Sequence, residues 1–221
     1  AAPTDTVWLG ADVANFQVWA VRPNEYDKNV YFKITSSNSP FPFPQLTSST
    51  FFNVYDNNKW NFSVRLKPSN YPLYNIVTGS TTSDATYDLI FRGVNSVAGV
   101  IAKKFELTAS IDTTVAQNFL TSSKRVYVGA RRTNITGGII DPSDVLTTGA
   151  RYWMKTLQNS DLDQHVYDVN NAGISASYQG LSPINVASFN TEVLNHNALI
   201  LNWNFDNVTG SDSSGDFMLP M

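Results

Sequence analysis

Apolar and polar residues alternate along many short stretches of this chain, and this pattern constrains the fold more than any other feature. In Trp60–Lys67 every even position is apolar and every odd position is polar. Because successive side chains of a β-strand point to opposite faces, the pattern predicts a strand with one buried face. Further strand-like runs are Phe16–Val21, Val30–Ile34, Phe51–Tyr55, Leu73–Val77, Tyr87–Arg92, Val97–Ala102, Phe105–Ile111, Arg125–Ala130, Arg151–Lys155 and Leu199–Asp206.

Clusters of turn-forming residues separate these runs. Asn57-Asn58 predicts a hairpin that joins Phe51–Tyr55 to Trp60–Leu66, because asparagine tolerates positive φ. Pro68 ends the next run, since proline cannot donate to a central ladder. Many short strands with frequent turns predict an all-β fold, in which two antiparallel sheets pack as a sandwich.

Two stretches have a helical pattern instead. Ser160–Asp168 predicts one short helix, for which Ser160 or Asp161 can provide the N-cap. Thr113–Leu120 carries a weaker helical pattern. Helices therefore make a small contribution to the predicted fold.

The Pro- and Ser-rich segment Ser36–Ser49 is typical of a loop or linker. It predicts a division into residues 1–50, an N-terminal β-hairpin arm with the linker, and residues 51–221, the sandwich domain. The chain starts without Met and stops within an apolar stretch. We therefore expect a fragment of a longer protein.

Composition and charge exclude several classes of function. Charged residues make up 15% of the chain and the formal net charge is −3. Nucleic-acid binding requires Lys and Arg to neutralise several phosphates, so no nucleic-acid partner is predicted. No apolar run approaches the roughly 18 residues of a membrane span, so no membrane partner is predicted. The absence of cysteine leaves stability to packing and hydrogen bonding.

Several segments together resemble a known fold family. They are Trp60–Pro68, Tyr87–Gly93, Arg125–Gly129, Arg151–Leu157 with the following Asp161–His165, and Leu201–Phe205. In this order they resemble laminin G-like, concanavalin A-like jelly-roll domains. The resemblance implies a two-sheet antiparallel jelly roll in which Leu201–Phe205 returns beside Arg151–Leu157. The C-terminal part is also similar to such domains in bacteriophage structural proteins, which implies a virion component.

The carboxylates do not match the enzymes of this fold. Glycosidases use two carboxylates, which the glucanase branch places in a Glu-x-Asp-x-x-Glu motif on one strand. Here the glutamates are Glu25, Glu106 and Glu192, and none has an acidic residue within two positions. A glycoside hydrolase is therefore the least favoured interpretation.

The histidines and glycines offer no other catalytic set. His165 lies near the end of the predicted helix, where a cationic or hydrogen-bonded histidine suits the helix dipole, and His196 is typical of a turn. A Gly-x-Ser-x-Gly motif is absent, and Gly137-Gly138 lacks the lysine of a phosphate loop. We expect no enzymatic activity.

One acidic loop is a candidate for calcium. It carries Asp206, Asp212 and Asp216 among serines and glycines. Calcium takes six to eight oxygen ligands, which such a loop can supply, although an ordinary turn uses the same residues. No other cofactor is predicted.

These observations leave two interpretations of function. The first is a non-enzymatic structural or interaction module of an extracellular or virion assembly, oligomeric and in contact with neighbouring protein subunits. The second is a carbohydrate-binding module, in which exposed Tyr71, Tyr74 or Tyr178 stack on a surface glycan. Three basic pairs could bind an acidic glycan, but solvated strand ends are the favoured explanation because the charges alternate with apolar positions: Lys103-Lys104, Lys124-Arg125 and Arg131-Arg132.

Overall fold

The structure is a computed structural model, and it describes part of the chain. The described residues are 14–37, 42–69, 86–121, 126–132, 138–140, 142–143, 145–168, 198–205, 210–211 and 217–218. Contacts divide the chain into two compact units, Ala1–Val126 with Arg132–Ile140, and Tyr127–Arg131 with Asp141–Met221. The fold is mostly β, with antiparallel sheets.

The first sheet contains three antiparallel strands in the order β1-β2-β3. The strands are β1 (Ala14–Val21), β2 (Tyr31–Ser37) and β3 (Leu46–Thr47). Val18 lies opposite Ile34, and Leu46 lies opposite Ile34 from the other side. β2 is therefore the central strand of this sheet.

The second sheet also contains three strands that are consecutive along the chain. They are β4 (Trp60–Pro68), β5 (Thr86–Val97) and β6 (Val100–Asp112). Val64, Phe91 and Leu107 lie side by side across the sheet. Ala98 and Gly99 turn the β5–β6 hairpin with positive φ angles of 50° and 77°, as two-residue hairpin turns of the favoured hand require.

The apolar faces of the two sheets enclose one core. Phe32 and Ile34 come from the first sheet, Val30 directly precedes β2, and Leu89, Phe91 and Ile111 come from the second sheet. Helix α1 (Thr113–Thr121) adds Ala116 and Phe119. Full burial of a Val, Leu, Ile or Phe side chain stabilises the fold by about 1.5–3 kcal/mol. This part of the chain is therefore β-sandwich-like.

Shorter elements make up the rest of the described chain. β7 (Arg131–Arg132) and β8 (Ile139–Ile140) form a two-stranded sheet. β9 (Ala150–Trp153) is followed by helix α2 (Asn159–Tyr167), and β10 (Leu199–Trp203) pairs antiparallel with β9. β11 (Gly210–Ser211) pairs with β12 (Phe217–Met218).

Most of the predicted strands are confirmed, with shifted ends. The runs Val97–Ala102 and Phe105–Ile111 belong to the hairpin turn and the single long strand β6. Both predicted helices are confirmed. The predicted N-cap, Ser160 or Asp161, is wrong, because the helix begins earlier: the N-cap of α2 is Gln158, whose backbone N–H donates to Asp161 Oδ2 at 3.1 Å. The predicted return of Leu201–Phe205 beside the β9 segment is confirmed by the β9–β10 pairing.

Two predicted strands are wrong. In Phe51–Tyr55 only Phe51 pairs, in an isolated bridge with Val30, so no hairpin joins this segment to β4. Asn57 does adopt positive φ, 58°. Residues 126–130 form no strand, and the run Leu73–Val77 lies outside the described residues.

The predicted division at residue 50 falls inside the sandwich core. Phe32 from the N-terminal side and Phe91 from the other side belong to the same buried cluster. The predicted linker Ser36–Ser49 contains β3, which pairs with β2. Its Ser48 is buried, and Ser48 Oγ accepts a hydrogen bond from Phe32 N–H at 2.9 Å.

Candidate interaction surface

The loop between β3 and β4 is held in place by backbone hydrogen bonds. Val30 and Phe51 exchange two N–H···O bonds, of 3.0 and 2.8 Å, and Tyr55 N–H donates to Lys28 O at 2.9 Å. Asn53, with a φ of 53°, donates its N–H to Asn29 Oδ1 at 3.1 Å. The backbone of this loop is therefore fixed against the turn before β2.

The two phenylalanines at the start of this loop have opposite surroundings. Phe51 packs among the core rings, 5.0 Å from Trp60 and 5.9 Å from Phe32 between ring centroids. Phe52 is 69% exposed, although its carbonyl accepts a hydrogen bond of 2.7 Å from Lys103 Nζ. The loop thus presents an exposed aromatic ring from a fixed backbone.

The β5–β6 hairpin adds apolar surface at the same end of the sandwich. Val97 and Val100 flank the turn and are 53% and 66% exposed. Lys103, which holds the Phe52 carbonyl, pairs with Asn95 just before the turn. We call Phe52, Val97 and Val100 the apolar end.

Two exposed tyrosines lie in the loop between β3 and β4 and in the turn before β2. Tyr26 is 87% exposed, and a hydrogen bond with Glu25 raises the pKa of the Tyr26 phenol. Tyr55 is 39% exposed, and the Arg22 guanidinium lies 3.9 Å from the centroid of its ring. One face of the Tyr55 ring is therefore covered by a cation, whereas Tyr26 projects into solvent.

A charged cluster lies on the face of the second sheet that points away from the core. Arg65 Nη2 lies 3.0 Å from Glu106 Oε2, and Arg92 Nη1 lies 3.5 Å from the same oxygen. The Arg92 side chain is buried. Desolvation lowers the pKa of Arg65, although the negative charge of Glu106 acts in the opposite direction. Glu106, the one glutamate of β6, is thus engaged in ion pairs.

His165 packs in the second unit, within the last turn of α2. Its ring stacks on Trp153 with centroids 5.1 Å apart, and the imidazole is buried. Burial, and after it the charge of Arg151, lower the pKa of His165 to about 4, although Asp161 and Asp168 oppose the shift. The predicted position near the helix end is confirmed, but the cationic form is disfavoured because this site is desolvated.

Most candidate residues from the sequence lie outside the described residues. These are the calcium candidates Asp206, Asp212 and Asp216, and the glycan candidates Tyr71, Tyr74 and Tyr178. Of the basic pairs, Lys103 is half-buried and Lys104 is exposed, and Lys124-Arg125 also lies outside. Within the described ranges no three His, Asp or Glu side chains group as a metal site.

The residues of the apolar end were missed by the sequence analysis. Phe52 lies in the run Phe51–Tyr55, for which the sequence predicts a strand. Its exposure depends instead on the distant bridge between Val30 and Phe51. The signal that could have found the hairpin tip is the pair of valines around Ala98-Gly99.

Comparison with family models, with curated proteins and with solved structures finds no match to this chain. In the part of the chain that the structure describes, no helix is long and apolar enough to cross a membrane.

Proposed function

We propose that this chain is a non-enzymatic interaction module of an extracellular or virion assembly, and that the apolar end contacts a neighbouring protein subunit. The observation that carries the proposal is Phe52, which is exposed although its backbone is fixed. Low charge and a surface rich in Asn, Ser and Thr fit a protein that works within a large assembly.

Binding is weakened by the free energy needed to order flexible groups at an interface. Each rotamer-rich side chain that binding immobilises reduces the binding free energy by about 0.5–1.5 kcal/mol. The loop around Phe52 is already held by Lys103 and by the Val30–Phe51 bridge, so less ordering is needed when a partner covers it. At the centre of protein interfaces, aromatic side chains often contribute most of the binding energy, and the contacts around them contribute little.

The experiment places a photo-crosslinking residue at position 52 in the cells that produce this chain. Position 146 serves as the matched control, because Leu146 is an apolar side chain that is 99% exposed. We expect one partner to cross-link at position 52 and not at 146. With that partner purified, Phe52→Ser should weaken binding by tenfold or more, about 1.4 kcal/mol, and Leu146→Ser should leave it unchanged. Equal labelling at both positions, or an unchanged affinity of Phe52→Ser, contradicts the proposal.

The second candidate function is carbohydrate binding, which Tyr26 favours because its ring is almost fully exposed. Exposed aromatic rings can stack on the apolar faces of sugars. A glycan array, run with calcium and with a chelator, tests this function. Saturable binding that Tyr26→Ala abolishes supports it, and loss of binding with chelator points to Asp206, Asp212 and Asp216. No binding in either condition, with the domain folded, contradicts it.

We propose that the sandwich is completed as a laminin G-like jelly roll, which requires strands that connect across the two sheets. The passage of the chain from β3 in one sheet to β4 in the other supports it. An experimental structure with two meanders and no such further connections contradicts this topology.

A further inference from the structure

The outer edge of β6 is the longest unpaired strand edge among the described residues. β6 runs from Val100 to Asp112 and pairs with β5 along one edge, and no described residue hydrogen-bonds to its other edge. β3 lies on the same side but in the facing sheet, with its hydrogen bonds to β2. An unpaired edge presents N–H and C=O groups that can pair with another strand.

The side chains of β6 alternate strictly between the two faces. Those on the face away from the core are exposed, and from Lys104 onward they are Lys104, Glu106, Thr108, Ser110 and Asp112. This order has opposite charges at its two ends and an uncharged residue at its centre. A strand with that pattern is complementary to an antiparallel copy of itself.

We propose that a second copy of this chain pairs with the outer edge of β6, antiparallel, about a two-fold axis at Thr108. The axis places Lys104 opposite Asp112 of the other copy, twice, and Thr108 opposite Thr108. Threonine pairs and opposite-charge pairs across strands are both stabilising. Because the contact is isologous, each favourable pair away from the axis occurs twice. The second sheet then continues from one copy into the other.

Charge and regularity favour this register over axes at Glu106 and at Phe105. Both core faces stay on the same side of the joined sheet only when the axis passes through a residue of the strand, because neighbouring positions point to opposite faces. An axis at Glu106 places two glutamates opposite each other. An axis at Phe105 places Lys104 opposite Glu106, but Glu106 already pairs with Arg65. The same axis would also include the part of β6 where the β5–β6 register is irregular, between the pairs Asn95–Lys103 and Ser96–Ile101.

The β6 contact is separate from the apolar end, so its failure and the failure of the proposed function can be distinguished. Sedimentation equilibrium of the full chain, from about 1 to 200 µM, measures the dimer in the range of ordinary protein association. We expect Thr108→Lys to raise the dimer Kd by about tenfold or more, because it brings two lysines together at the axis. Ala20→Lys, at an exposed position of β1, the edge strand of the first sheet on the side away from β3, is the control and should leave the Kd unchanged. Phe52→Ser should leave the dimer unchanged as well.

A cysteine cross-link reads the register directly, because the chain has no cysteine. Residues opposite each other in an antiparallel pair have Cα atoms about 4.5–5.5 Å apart, within the range of a disulfide. Thr108→Cys should form a disulfide between copies under mild oxidation. Ser110→Cys, on the same face of the same strand, should form it at least tenfold more slowly, because Ser110 lies opposite Glu106. A chain that stays monomeric throughout, or Ser110→Cys that cross-links as fast as Thr108→Cys, overturns the proposal.

Discussion

Replacing Gly93 by alanine tests how the second sheet meets the core. Gly93 lies opposite Phe105 in the β5–β6 pair, and the Phe105 ring covers it. A Cβ at position 93 would lie 2.7 Å from Phe105 Cζ, well inside van der Waals contact. The ring has little freedom to withdraw, because it packs 5.0 Å from Phe91 and 5.6 Å from Phe32 between centroids.

The magnitude follows from three contributions to the free energy of unfolding. Forcing an extra methyl group into a packed core costs about 1–3 kcal/mol. Displacing the Phe105 ring weakens aromatic contacts that are each worth about 0.5–1.5 kcal/mol. Alanine in place of glycine restricts the unfolded chain, which offsets about 0.4–1 kcal/mol. We therefore expect Gly93→Ala to lower the unfolding free energy of the first unit by about 2 kcal/mol.

The assay is urea unfolding read by hydrogen exchange on peptides of β5 and β6. Gly138→Ala is the matched control, because a Cβ at Gly138 meets nothing within 4 Å, and this variant should be unchanged or slightly stabilised. Phe105→Leu in the Gly93→Ala background should destabilise the unit less than it does in the unmodified chain, since the clash is gone. Equal unfolding free energies of the Gly93→Ala and Gly138→Ala variants would refute this explanation.

Three further predictions concern other parts of the chain. The imidazole of His165, with a folded pKa of about 4 against 6.5 unfolded, should bind its proton only near pH 4 in an NMR titration. Between pH 4 and pH 6.5 the unfolded chain therefore binds more protons than the folded chain. The unfolding free energy of the second unit should fall by up to about 3 kcal/mol as the pH drops from 6.5 to 4. A His165 imidazole that titrates near pH 6.5 in the folded protein would contradict this prediction. Ala98→Asn creates Asn-Gly at the β5–β6 turn and should raise the stability of the first unit in urea by about 0.5–1 kcal/mol, since Ala98 has a φ of 50°. Asn95→Ala should lower it by about 1–3 kcal/mol, because Asn95 Nδ2 no longer donates to Lys59 O, 2.8 Å away; an unchanged urea midpoint would count against that bond.

Local patterns were sufficient for the strands whose two faces differ. Trp60–Pro68 is a strand in the structure because its even residues face an apolar core, as alternation predicts. The helix Asn159–Tyr167 follows equally from its local polar start and its buried Leu162 and Val166. The pairing of β10 with β9 was implied by the resemblance to jelly-roll domains and not by a local pattern.

Long-range pairing decided the features that the sequence did not predict. Phe51 and Phe52 are identical neighbours, and the bridge from Val30 to Phe51 determines which ring packs against the core. Arg92 reads as a solvated strand residue, yet its side chain is buried beside Glu106 of the next strand. Neither outcome can be read from a window of sequence, because each depends on a residue at least fourteen positions away.

The sequence by itself determined that this protein is built from antiparallel strands with one buried face, because side-chain alternation is a local property of the backbone. Only the tertiary structure decided which apolar residues remain exposed, as at Phe52 and Val97, and which strand edge is left unpaired by the described part of the chain, at β6. These depend on how distant segments share a limited core, and the physical reason is that burial belongs to the packed molecule and not to a residue type.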